Sequence, residues 1–266
     1  MLSPEQRGEF ERTGILRLPG AIPAHEARAM CDQVWDALTT RHRIDRQDPR
    51  AWKQAQRING THSLPKSVTF EQVASAPVCA ALDELFGPGN WQRPQRWGSL
   101  LLSFPEADRW DVPRKAWHLD FPASASLSGL FALRIFTCLA TLEPAGGGTV
   151  FVAGSHRLVE KFVHEQGIER LHSADARNAI IRSYPWMRAL CSRGENIDRI
   201  CGFMSVGTTV GETELRVIEM TGEPGDVMLT HPLLLHAPAP NCAAVPRIAL
   251  SSTVFRTGVS TSAIYE

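Results

Sequence analysis

The stretch Trp117-His118-Leu119-Asp120-Phe121-Pro122 constrains the fold more than any other. In a β context residues two apart share a face, so His118 and Asp120 aim an imidazole nitrogen and a carboxylate oxygen into one space. A second histidine closes Leu233-Leu234-Leu235-His236, more than 100 residues downstream, and Arg247 follows on the next candidate strand. A fold that uses all of them must bring distant strands together around one point.

The chain has 266 residues and is 43% hydrophobic, enough for a substantial core. One domain with embellishments is expected: a helical N-terminal region over 1–90, and a β core over 91–256 that carries an insertion at 156–214. The 28 basic and 28 acidic residues cancel, and no basic block stands out, which argues against nucleic acid as a partner. Six cysteines form no C-x-x-C pair and several sit in apolar runs, the pattern of buried reduced thiols. No signal peptide is read at the start and no run approaches a membrane span, so a cytoplasmic protein is expected. Nothing in the pattern specifies an oligomeric state.

Ser3-Pro4-Glu5-Gln6 reads as a helix start, with Ser as N-cap, Pro at N1 and a Gln placed for a capping box; Gly14 should end that helix. Ile15–Leu18 reads as a short strand. Ala27, Met30, Cys31, Val34 and Leu38 recur at helical spacing, and a further helix is expected from Ser75 to Phe86, capped by Gly87. Residues 41–69 read as a long excursion, in the manner of a lid. Strands are expected at 100–104, 130–142, 149–152, 215–220, 227–236 and 248–255, and the Gly-rich 143–148 segment as a hairpin turn. Helices first, then many strands with Gly/Pro turns, point to a sandwich or barrel bearing N-terminal helices.

Two imidazoles and one carboxylate on one face of a metal, with the remaining positions open, is the non-haem Fe(II) arrangement. A lone H-x-D is weak evidence; the distal His and the Arg give it weight. His231 and His236 compete for the distal place. They are five apart and would face opposite sides of a regular strand, and the spacing does not choose between them.

Gly225-Asp226-Val227-Met228-Leu229-Thr230-His231-Pro232-Leu233-Leu234-Leu235-His236-Ala237-Pro238-Ala239-Pro240-Asn241, followed by Arg247, resembles the phytanoyl-CoA dioxygenase family. Trp117-His118-Leu119-Asp120 resembles that family's first metal motif. Gly154-Ser155-His156-Arg157 resembles its Pro-Gly-Ser-His turn, with Ala153 in place of Pro. The resemblance implies a mainly β fold with flanking helices, built on a double-stranded β-helix (a cupin-like jelly roll) with the N-terminal helices packed on one sheet. It implies His118, Asp120 and His236 as ligands of Fe(II). Arg247 would grip the distal carboxylate of 2-oxoglutarate, a role its planar fork suits, and Thr137 would help hold that cosubstrate.

The implied reaction is hydroxylation of a C–H bond of a small-molecule substrate with O2, releasing succinate and CO2. Retention of Asp120 favours hydroxylation over halogenation. Trp117, Phe121 and Arg134 are candidates for the substrate pocket, Arg134 toward an anionic group, and Trp97 and Phe104 for its wall; the alternative is ordinary core aromatics and a paired or solvent-facing Arg134. Pro238 departs from the family, which often has a Ser two residues after the distal His. The competing readings are a cupin-like metalloenzyme that does not use 2-oxoglutarate and a non-catalytic relic that only binds a ligand.

Overall fold

The computed structural model describes residues 2–55, 70–125, 129–192 and 198–259, with the side chains of 53–55 left aside. The chain begins with helix α1 (Pro4–Thr13). The Ser3 hydroxyl accepts from the Gln6 N–H (3.2 Å) and the Gln6 side chain accepts from the Ser3 N–H (2.9 Å), the capping box expected from the sequence. Gly14 ends the helix at φ 74°, in the left-handed region. Strand β1 (Ile15–Leu18) and helices α2 (Ala24–His42) and α3 (Pro49–Ala55) follow; of the expected 41–69 excursion, 41–55 hold the end of α2 and all of α3, and 56–69 lie outside the described residues. A 3₁₀ turn (Glu71–Ala74) precedes α4 (Ala76–Phe86), whose N-cap is Ser75, and β2 (Trp91–Gln92) and β3 (Ser99–Ser103) come next.

The remaining strands are β4 (Ala132–Cys138), β5 (Thr149–Ala153), β6 (Thr208–Val210), β7 (Thr213–Glu219), β8 (Val227–Thr230), β9 (His236–Pro238) and β10 (Arg247–Arg256). Between β5 and β6 stand α5 (Ser155–Glu165), α6 (Ser173–Ser183), α7 (Pro185–Cys191) and a π-helical segment (Ile200–Val206). All pairings are antiparallel. The larger sheet runs β1–β8–β4–β10–β2 with β3 also on β10, and the smaller runs β6–β7–β5–β9.

Three apolar clusters follow from strand alternation. The outer face of the larger sheet, with Leu133, Ile135, Leu229 and Leu250, shares a core with Met30, Val34 and Leu38 of α2 and Val78 and Leu82 of α4. Full burial of each such side chain contributes roughly 1.5–3 kcal/mol. The smaller sheet buries Val150, Val152, Leu215 and Val217 with Leu158, Ile180 and Met187 of the inserted helices. Between the sheets a smaller cluster holds Phe136, Cys138, Phe151, Met228 and Ala249.

Two expected strand features come out differently. The 143–148 turn is not a hairpin: β4 and β5 belong to different sheets, and the turn carries the chain across. The 227–236 strand is broken, with β8 in the larger sheet, β9 in the smaller, and Pro232 in the connection. Pro lacks an N–H for either ladder, so the chain changes sheets there. Among the described residues of the 156–214 insertion the regular elements up to Val206 are helices, and strands resume at Thr208, earlier than the sequence pattern suggests.

The break decides the two histidines. His231 turns toward α5, its ring 4.6 Å from that of His156, and its Nδ1 accepts from the Leu233 N–H (3.3 Å). Its Nε2 therefore carries the proton and faces Glu160 Oε1 at 3.4 Å. His156 Nε2 faces the Glu11 carbonyl at 3.3 Å, so it donates, which leaves Nδ1 bare. That bare nitrogen lies against Gly14, where a Cβ would stand 2.7 Å from it. Burial pushes His156 down to about 4, partly opposed by the Glu11 carbonyl, and pushes His231 well below its ordinary range, helped by the neighbouring His156.

Both imidazoles stay neutral when folded and take up protons when unfolded. Stability is therefore complete above about pH 6.5 and is lost as pH falls toward about 4. Urea unfolding of the metal-free protein between pH 7 and 4.5 should show this acid decline. His156→Gln should flatten it by up to about one proton per molecule.

Candidate metal centre

His118 and His236 are direct cross-strand neighbours. The His118 N–H donates to the His236 carbonyl (2.9 Å) and the His236 N–H donates back to the His118 carbonyl (3.1 Å), closing one isolated bridge. The 117–122 segment is thus attached to β9 at one point rather than forming the longer strand its pattern suggests. Alternation still holds across it. Trp117, Leu119 and Phe121 enter the core beneath the inserted helices, while the partly exposed His118 and Asp120 turn the other way, toward His236.

The two imidazole rings lie 4.1 Å apart. Asp120 Oδ1 is 3.7 Å from His118 Nε2 and Oδ2 is 3.4 Å from His236 Nε2. One donor atom from each residue falls within 4.8 Å of the others. An octahedral ion with bonds of about 2.1 Å sets cis ligand atoms about 3.0 Å apart, so small side-chain rotations close the set on one cation.

The tautomers favour binding. His118 Nδ1 lies 2.8 Å from the Ala116 carbonyl and His236 Nδ1 lies 2.9 Å from the Leu234 carbonyl. A carbonyl only accepts, so both Nδ1 atoms carry protons and both Nε2 lone pairs face the centre. Ala116 takes φ 63° to present its carbonyl. Burial pushes His236 down to about 4; Asp120 opposes that shift and His118 reinforces it. Phe151 and Phe136 wall the ring at 6.0 and 6.4 Å. His236 is therefore neutral at physiological pH, the state a metal requires.

Arg134 stands at this carboxylate. Its Nε is 2.8 Å from Asp120 Oδ2, an ion pair without hydrogen-bond alignment. Its Nη1 donates to Thr253 Oγ1 (2.6 Å) and its Nη2 to Ser251 Oγ. The guanidinium is thus committed to Asp120 and to β10: of the two readings the sequence left for Arg134, a paired side chain or a contact for an anionic substrate, the structure has the paired one.

Arg247 reaches the interior from the start of β10, on the same face as Ala249, Ser251 and Thr253. It is buried, and its Nη1 donates to the Gly147 carbonyl (2.6 Å). Its Nε has no hydrogen-bond partner, and no carboxylate among the described residues forms an ion pair with it. Burial pushes it down to about 10, against the pull of Glu106, so it remains a cation at neutral pH.

Other sequence candidates lie elsewhere. Thr137 is one step out of phase with Arg134 and Phe136. It pairs with Leu250 and Val227 on the helix-covered face, so its position does not suit a role in holding a cosubstrate beside the metal. Trp117 (2% exposed) and Phe121 (1%) are core residues, the latter edge-on to Phe131 and Phe255. Trp97 and Phe104 lie under the N-terminal helices.

One residue that sequence reasoning missed is Arg199, buried in the 156–214 insertion. It donates to the carbonyls of Val112 (3.1 Å), Pro113 (3.2 Å) and Leu190 (2.8 Å), with its guanidinium over the Phe203 ring. It thereby ties the approach to His118 to α7 and the π-helical segment. A lone Arg in a polar stretch gives no local sign of this.

The family profile described as Phytanoyl-CoA dioxygenase (PhyH) matches residues 10–249. No curated protein matches the sequence. Among solved structures, HygX from Streptomyces hygroscopicus with nickel and 2-oxoglutarate bound is similar at 16% identity and TM-score 0.55, covering 98% of this chain and 89% of that one. The epimerase SnoN, in complex with Fe3+, alpha ketoglutarate and nogalamycin RO, is similar at 16% identity and TM-score 0.52, covering 94% and 82%. The carbocyclase SnoK from nogalamycin biosynthesis is similar at 14% identity and TM-score 0.54, covering 96% and 84%.

Asp120→Ala should abolish tight Fe(II) or Mn(II) binding and also destabilise the metal-free protein, by about 1–3 kcal/mol, because Arg134 loses its counter-charge. Asp120→Ala with Arg134→Met should recover part of that stability and none of the metal binding. Calorimetric titration with metal and urea unfolding check the two halves separately.

Proposed function

This chain belongs to the phytanoyl-CoA dioxygenase family of Fe(II)- and 2-oxoglutarate-dependent enzymes, and from that premise we propose that it hydroxylates an unactivated C–H bond of a small-molecule metabolite. The substrate R–H, O2 and 2-oxoglutarate would give R–OH, succinate and CO2. The observation that carries this reading is the pairing of a two-His, one-carboxylate set with a buried arginine that has no carboxylate partner among the described residues.

The residues present fit both groups. His118, Asp120 and His236 would hold Fe(II) and leave its other positions open. The orphaned Arg247 Nε–H, on a buried cation, calls for an anion, and the distal carboxylate of 2-oxoglutarate is of that class. Bound there, the iron and the cosubstrate supply the O2-dependent oxidising equivalents. The chain's own work is orientation and exclusion of water. The Ala116 and Leu234 carbonyls hold the two Nδ1 protons, so that the imidazoles turn about fixed axes. Arg134 restrains the Asp120 carboxylate from the Oδ2 side. Phe136 and Phe151, edge-to-face at 5.2 Å, keep the His236 side dry.

Retention of Asp120 supports hydroxylation over halogenation, since the carboxylate keeps the position a halide would need. The epimerase and carbocyclase named above place stereochemical inversion and ring closure among the outcomes that a product assay should resolve. The cupin-like alternative needs no Arg247, and the relic alternative needs no turnover.

Aerobic incubation of the Fe(II)-loaded protein with 2-oxoglutarate should release succinate slowly even without substrate, and His118→Ala should release none. Arg247→Ala should raise the KM for 2-oxoglutarate by roughly 10- to 100-fold, the loss of a charge-assisted contact. Iron binding with no 2-oxoglutarate consumption would sink the proposal and favour the cupin-like reading, and an Arg247→Ala protein with unchanged KM would remove Arg247 from cosubstrate binding.

A further inference from the structure

We propose that Ser103 donates the second hydrogen bond to the distal carboxylate of 2-oxoglutarate, beside Arg247, in place of the serine the family often carries where this chain has Pro238. Cosubstrate use at this centre, as proposed above, is the premise.

Pro238 lies two residues after His236 and offers no donor. Its β5 neighbour is Thr149. Arg247 instead pairs directly with Ser103 at the end of the β3–β10 ladder. Residues directly opposite in an antiparallel pair share a face, with Cβ atoms about 4.5–5.5 Å apart. Both carry an orphan. Ser103 Oγ is buried without a hydrogen-bond partner, and so is Arg247 Nε. Buried polar atoms are almost always satisfied, so two orphans on one directly opposed pair point to a shared missing partner. A hydroxyl and a guanidinium side by side form a donor set for a carboxylate.

The backbone around them is shaped for close approach. Arg247 Nη1 donates to the Gly147 carbonyl at 2.6 Å. Gly147 has φ 80°, and a Cβ on it would stand 2.7 Å from Ser103 Oγ and 2.8 Å from the Asn241 Cβ. Gly147, Ser103 and Arg247 therefore meet at one spot, and only a residue without a side chain leaves it open. Asn241 fixes the frame: its Nδ2 donates to the carbonyls of Ser103 (3.1 Å) and Val245 (3.0 Å), tying the end of β3 to the loop that enters β10. Thr149 is the competing hydroxyl, being nearest in register to Pro238. Ser103 is preferred because its oxygen is the orphaned one and it faces Arg247 directly.

The test is anaerobic titration of the Fe(II)-loaded protein, following the weak visible charge-transfer band, with 2-oxoglutarate and with 2-oxovalerate, which lacks the distal carboxylate. Ser103→Ala should raise the Kd for 2-oxoglutarate by roughly 10- to 100-fold. It should leave the Kd for 2-oxovalerate within about twofold and Fe(II) affinity unchanged. Metal-free Ser103→Ala should be no less stable than the wild type, since it removes an unsatisfied hydroxyl.

Equal Kd values for 2-oxoglutarate in wild type and Ser103→Ala would overturn the inference. So would equal weakening of both acids, or selective weakening in Thr149→Val but not in Ser103→Ala. Wild-type protein that binds Fe(II) but gives no band with 2-oxoglutarate would instead overturn the cosubstrate reading and Ser103's role with it.

Discussion

The reciprocal backbone bond between His118 and His236 is the constraint on which the site depends. Opposed residues in an antiparallel pair have no freedom to separate, so the two imidazoles sit 4.1 Å apart by virtue of main-chain geometry. Asp120, two residues on, then falls on the same face without a pairing partner of its own. More than 100 residues of chain separate the two halves of this contact. The cost of closing that loop is met by burial elsewhere, in the cluster under the inserted helices, where Trp117, Leu119 and Phe121 are packed.

The charges of the interior are arranged in two sets. At the His118–His236 end, Asp120 is balanced by Arg134, which is itself held by the Ser251 and Thr253 hydroxyls of β10. At the other end, among the described residues, Arg247 has a hydrogen bond to the Gly147 carbonyl and a buried Nε without a partner. Removing one partner of a buried pair is far more damaging than never having had the pair.

The two outer layers have different tasks. The N-terminal helices cover the larger sheet and bury its Leu, Ile and Val side chains. The inserted helices cover the smaller sheet and also grip the approach to the metal motif, through Arg199 and the carbonyls of Val112 and Pro113. The second histidine pair, His156 and His231, closes the seam between α1, α5 and the β8–β9 connection. No helix among the described residues is long and apolar enough to cross a membrane.

Much of this was written locally in the chain. Ser3, Pro4 and Gln6 specify the first cap, Ser75 and Gly87 bound α4, and the spacing of His118 and Asp120 puts both on one face wherever that stretch is extended. Resemblance supplied His236 and Arg247. Tertiary structure alone decided the rest. It broke the 227–236 strand at Pro232, sent β8 and β9 to different sheets, and so separated His231 from His236. It turned the Gly-rich 143–148 segment into a passage between sheets, set Thr137 on the wrong face for the site, and laid Ser103 against Arg247. The reason is that caps and alternation act over a few residues and are carried by residue type. Sheet choice and register are settled by partners far away in sequence, which no short pattern encodes.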